Sequence, residues 1–162
     1  MKVLLYTDGS MDVPSEKGGW AAWIQRERES SWDVRYGRCP AYVKQANHAE
    51  LFAVYAGLKL AHSKWSDIRT IRVCSDSVTA LRHVSKGILR MRSRDPVMLR
   101  IRTKIQDMLV GCHLQTAHVK SHQDPAIGID HYINDRVDSF AERGRRGVIG
   151  PHHMTATEVF DL

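Results

Sequence analysis

A chain of 162 residues, 43% hydrophobic and 26% charged, suffices for one domain with a sizeable core and is short for two. No apolar run approaches the roughly 18–20 residues that span a membrane, and three cysteines without CxxC spacing (Cys39, Cys74, Cys112) suggest neither a disulfide framework nor a zinc site. The net charge of +6 favours a polyanionic partner, and no segment joins basic residues to a bulky apolar face as a membrane helix would, so nucleic acid is the expected partner. A first strand starting at residue 2 leaves no room for a signal peptide, and the expected location is cytoplasmic, nucleoid or nuclear with reduced thiols.

In chain order, Lys2–Ser10 opens with the apolar run Val3-Leu4-Leu5-Tyr6, a buried strand, and ends in the turn signal Thr7-Asp8-Gly9-Ser10. Taken singly, Asp8 reads as a turn-forming acid. A polar turn over Met11–Lys17 leads into a second strand, Gly18–Arg28, where Trp20, Ala22 and Ile24 alternate with Ala21, Trp23 and Gln25 as on a sheet with one better-buried face. Trp32–Cys39 is a third strand, completing an antiparallel meander before Pro40. The spacing predicts a helix over Asn47–Lys64 with Asn47 as its N-cap. Glu50 sits on an otherwise apolar stripe of that helix, where it either serves a site or closes a capping-box turn. Thr70–Ser75 is a β-branched strand ending at Asp76, and Asp76 reads equally as the cap of a short helix Ser77–Lys86.

A basic connection, Gly87–Arg94, precedes a helix over Asp95–Val110 with Asp95 as cap and Pro96 at its first position. Lys86, Arg90, Arg92, Arg94, Arg100, Arg102 and Lys104 make this region a solvated basic face or a nucleic-acid contact. His113–Val119 is a fifth strand, followed by Lys120-Ser121-His122, a polar loop, and a helix at about Ile133–Arg143 bearing Asp138. The residues from 145 to 162 read as a loosely held tail after a domain spanning 1–144.

Strands one and four each end in an acid, and parallel pairing would make Asp8 and Asp76 neighbours, with Glu50 packing over them. Crowded carboxylates are relieved by protons or by hard divalent cations. Two such ions about 3.5–4 Å apart can activate a water and stabilise the leaving oxygen of a phosphodiester.

The order and spacing of six motifs carry a resemblance: YTDGS at Tyr6–Ser10, GGWAAW at Gly18–Trp23, NHAEL at Asn47–Leu51, CSDS at Cys74–Ser77, VKSH at Val119–His122 and NDRVDSFA at Asn134–Ala141. Over nearly all of residues 2–144 the chain resembles the type 1 ribonucleases H. The resemblance implies an α/β fold of the ribonuclease H-like kind, a five-stranded mixed sheet flanked by helices. It implies cleavage of the RNA strand of RNA–DNA hybrids, leaving 5′-phosphate and 3′-hydroxyl ends, with two Mg2+ ions per site and Mn2+ as a substitute. Asp8, Glu50, Asp76 and Asp138 would bind metal, His122 would assist proton transfer or product release, Asn47 would touch the hybrid's minor groove, and Gly9 and Ser10 would also bind substrate. A monomer with no obligatory protein partner is expected.

Four stretches depart from the family pattern. The turn after Ser10 lacks Asn-Pro-Gly, Val78 stands where cellular members carry a Gln, the basic handle is shortened to GILRMRSR, and the stretch from His122 to Asp138 is longer. Arg90, Arg92 and Arg94 would replace the handle as a clamp on the nucleic-acid backbone. For the last metal-binding acid, Asp124, Asp130 and Asp135 compete with Asp138; the pattern Asn134, Asp138, Ala141 on one helix face favours Asp138. A proofreading exonuclease would want an acid at position 10, and an integrase would order its acids differently. A purely nucleic-acid-binding module gains nothing from four crowded acids.

Overall fold

The computed structural model describes residues 1–85 and 95–162. Five strands, β1 (Lys2–Asp12), β2 (Lys17–Arg26), β3 (Trp32–Arg38), β4 (Thr70–Ser75) and β5 (His113–His118), form one mixed sheet in the order β3-β2-β1-β4-β5. The helices are α1 (Ala46–Lys64), α2 (Val78–Ser85), α3 (Pro96–Leu109), α4 (Ile129–Arg145) and α5 (Ala156–Phe160). The meander β1–β2–β3 is antiparallel, while β1–β4 and β4–β5 are parallel, the chain passing from β3 to β4 through α1 and from β4 to β5 through α2 and α3. The expected α/β architecture and mixed five-stranded sheet are therefore present. Among the described residues no helix is long and apolar enough to cross a membrane.

Alternation along the strands loads both faces of the sheet rather than one. Val3, Leu5, Trp20, Ala22 and Ile24 point to one side and join Phe52, Leu58 and Ile105 from α1 and α3. Tyr6, Ala21, Trp23, Val34 and Tyr36 point to the other and meet Val137, Phe140 and Ala141 of α4. Each helix thus presses on one face, and β1 lies buried between α1 and α4. Nearly every residue of α1 from His48 to Ala61 is buried, because it is covered by the sheet below and by α3 beside it.

Three differences from expectation bear on the site and its surroundings. α1 begins at Ala46 with Gln45 in the cap position, so Asn47 is inside the first turn rather than its cap. α4 starts at Ile129, four residues earlier than the apolar pattern indicates, since Ile129 and Tyr132 are exposed and interrupt it. The third difference is the tail, which is not loosely held. The backbone of Tyr36 on β3 donates to the carbonyl of His152 and accepts from the N–H of Met154. Beyond that point α5, closed by a Thr155–Glu158 capping box, buries Val159 completely and sets Phe160 against Phe52 and Tyr55 of α1.

Candidate active site

The parallel register of β1 on β4 pairs Leu5 with Val73 and Tyr6 with Cys74, so two residues further on Asp8 stands beside Asp76. There β4 ends while β1 continues to Asp12 against β2, and the acids occupy the notch left where the two strands part. Asp76 is not spent on capping: the hydroxyl of Ser77 accepts from the N–H of Ala80 and starts α2 instead. The backbone carbonyl of Asp76 accepts from Nε2 of His118 at 3.2 Å.

Glu50 enters from α1 through an unusually close approach of helix to strand. A Cβ on Gly9 would lie 2.5 Å from the backbone carbon of Ala49 and 2.5 Å from the nitrogen of Glu50, so no larger residue fits. The Gly9 N–H in turn donates to Asp8 Oδ1 at 3.0 Å and to Glu50 Oε2 at 3.1 Å, clamping both carboxylates. This contact, not a capping box, occupies Glu50. Oxygens of Asp8, Glu50 and Asp76 lie within 4.8 Å of one another.

Electrostatically the trio is under strain. Burial, then the charges of Glu50 and Asp76, push the Asp8 carboxyl far above the usual carboxylate range. Burial, then Asp76, raise Glu50, against the pull of the Gly9 N–H. Burial, then Asp138, raise Asp76, partly offset by His122. Oδ2 of Asp8 is buried with no hydrogen-bond donor among the described residues. Such a group of crowded hard oxygen donors, one of them without a hydrogen-bond donor among the described residues, fits a divalent cation that would relieve their repulsion.

Asp138 joins this field from α4, adding repulsion at Asp8, Glu50 and Asp76. The competing acids have other engagements. Tyr6 donates to Asp130 at 2.5 Å, Arg72 lies 3.9 Å from it, and Asp124 caps the short 3-10 turn Pro125–Ile127. Asp135 shares a cleft with Asp138, but it is Asp138 whose charge raises the trio.

That cleft is lined by Asp76, Asp135 and Asp138, by His122 in the left-handed backbone region (φ 56°), and by His131 and Asn134 of α4. His131, whose Nδ1 is buried with no hydrogen-bond partner among the described residues, went unnoticed in the sequence, although its spacing of three, four and seven from Asn134, Asp135 and Asp138 places it on their face. Of the expected substrate contacts, Asn47 is exposed on the first turn of α1, and Ser10 accepts from Nε of Arg145 at 2.9 Å. Gly9 spends its N–H on the acids. Arg90, Arg92 and Arg94 lie outside the described residues.

The family model for RNase H matches residues 1–146. The chain belongs to the RNase H family. The solved structures it resembles fit that assignment. The N-terminal RNase H domain of Rv2228c from Mycobacterium tuberculosis, solved as a fusion with maltose-binding protein, is 18% identical, with a TM-score of 0.70 over 90% of this chain and 94% of that one. RNase H1 of Halobacterium salinarum is 19% identical, with a TM-score of 0.64 over 89% and 97%. LC11-RNase H1, solved in complex with an RNA/DNA hybrid, is 18% identical, with a TM-score of 0.63 over 89% and 96%. A search of curated proteins returned no match.

Proposed function

We propose that this RNase H hydrolyses the RNA strand of RNA–DNA hybrids endonucleolytically, leaving 5′-phosphate and 3′-hydroxyl ends. The observation that carries the reading is the trio Asp8, Glu50 and Asp76, held within 4.8 Å at the parting of β1 and β4 with Asp138 beside it. The hybrid found with LC11-RNase H1, a protein of the same fold, supports the substrate class.

In this reading Asp8, Glu50, Asp76 and Asp138 hold two Mg2+ ions. When bound, the ions supply Lewis acidity and a more acidic water. The protein's own part is orientation. Gly9 fixes the angle between Asp8 and Glu50 through its single N–H, so the carboxylates do not reorganise when substrate arrives. His122, exposed on its loop beside Asp76, in this reading carries a proton to or from the reacting phosphate and then swings clear. Asn47 offers an amide to the minor groove from the first turn of the helix that carries Glu50.

The test is cleavage of a hybrid labelled on either strand, with and without Mg2+. The expected result is Mg2+-dependent internal cuts in the RNA strand alone, lost by orders of magnitude in a folded Asp76→Asn variant. Wild-type turnover by that variant, or equal cutting of the DNA strand, refutes the assignment.

A further inference from the structure

On the side of β1 beyond the acids, the hairpin turn, the end of β3 and the end of α4 enclose a cleft of about 380 Å³. Four cations line it, Lys17, Arg38, Arg145 and Arg146, against a single acid, Asp12. The Asp12 carboxylate accepts from the hydroxyl of Ser15, and Lys17, Arg38 and Arg146 form no ion pair among the described residues. Arg145 has one acidic partner, Glu142, at 3.5 Å on its own helix.

The geometry points to a subsite for the phosphodiester backbone of a nucleic-acid strand, formed by Lys17, Arg38, Arg145 and Arg146. This inference rests on the nucleic-acid substrate proposed above. Gathering like charges in a concave surface is unfavourable unless an anion is to be received there. The acceptors of the α4 C-terminus account for only part of the cluster: Arg38 Nη2 donates to the carbonyl of Arg145 at 3.0 Å. Lys17 and Arg146 are exposed at the rim with no such duty.

The cations are also held in place. A Cβ on Gly19 would lie 2.1 Å from the carbonyl of Ala141 and 2.2 Å from the nitrogen of Arg145, so α4 is pressed onto β2 at this point. Gly147, in the left-handed region at φ 72°, leaves open the space taken by the Arg38 guanidinium, which a Cβ would approach to 2.6 Å. Arg145 is tied to Ser10, two residues from Asp8 on the same strand. From Asp8 to Asp12 a strand advances about 13 Å, the axial span of roughly four phosphates on one nucleic-acid strand. The cleft therefore engages the backbone a few nucleotides from the acids and fixes the register of the strand over them.

The experiment is the salt dependence of kcat/KM for hybrid cleavage, in the unmodified chain and in a Lys17→Ala/Arg146→Ala double variant. Two lost phosphate contacts should flatten the slope of log kcat/KM against log salt by about 1.8, taking about 0.9 for each. A charge-matched control, Arg28→Ala/Arg69→Ala, removes two exposed cations at the opposite end of the sheet and should leave the slope unchanged. A double variant with the parent's slope, or a control that flattens it equally, overturns the subsite while hybrid cleavage stands. An unmodified chain that cleaves no hybrid overturns both readings.

Discussion

Replacing Asp8 by Asn should stabilise the metal-free fold while removing activity. The Asp8 carboxyl is raised above its ordinary value of 3.8 by burial and by Glu50 and Asp76, so the folded state holds a proton that the unfolded chain gives up. Its contribution is fully present below about pH 4 and is lost as the pH climbs through neutrality toward the folded value. Holding one proton from 3.8 up to about pH 7.5, at about 1.4 kcal/mol per pH unit, costs about 5 kcal/mol. Leaving the acids charged instead puts oxygens within 4.8 Å, a repulsion of about 3.5 kcal/mol per pair at an effective dielectric constant of about 20, and less where water screens it. An Asn avoids both costs and keeps the shape, so the gain should be about 2–5 kcal/mol near pH 7.5, or about 5–15 °C in Tm for a chain of this size. Thermal unfolding followed by circular dichroism in EDTA measures it directly. The gap should close near pH 4, and Mg2+ should narrow it by stabilising the parent chain. An Asn variant no more stable than the parent at about pH 7.5, or equally advantaged near pH 4, would show that the trio is not electrostatically frustrated.

Asp138→Asn should reduce activity more than Asp135→Asn when both are assayed across Mg2+ concentration, by at least about tenfold, with partial rescue by excess metal. The reverse order would move the fourth acid to Asp135. Val159→Ala should cost about 2 kcal/mol, since this α5 side chain is wholly buried. A change within about 0.5 kcal/mol in denaturant unfolding would mean that α5 contributes little to the fold.

The parts of this structure that could be read from sequence are those whose signals are local. TDG after an apolar run marks a strand end, and once strands one and four lie parallel their terminal acids Asp8 and Asp76 become neighbours. Glu50 stood out because a carboxylate on a packing stripe needs a reason, although that reason, the Gly9 N–H 41 positions away, lies outside any local pattern. The docking of the tail was hidden for a similar cause. Val159 and Phe160 lie on a five-residue helix too short to show a period, and the partners of Phe160, Phe52 and Tyr55, lie about a hundred residues earlier. The basic cleft was equally hidden, since Lys17 and Arg38 are single charges far in sequence from Arg145 and Arg146, and only the turn of α4 against the meander assembles them.

The return of the chain to Tyr36 also settles how the sheet meets its surroundings. A five-stranded sheet has two open sides, each a row of backbone donors and acceptors that could accept another chain. Here the β3 side is plugged midway: both backbone groups of Tyr36 are taken by residues 152 and 154, and its hydroxyl donates to the carbonyl of Val148 at 2.9 Å. The β5 side has a different defence, because four of its six residues, His113, Gln115, Thr116 and His118, are polar and leave little apolar surface to reward pairing. A foreign strand would therefore have to displace a hydrogen-bonded segment on one flank or accept a short polar one on the other. Removing the residues after Gly150 would expose the β3 flank as the template along which copies of this chain could pair.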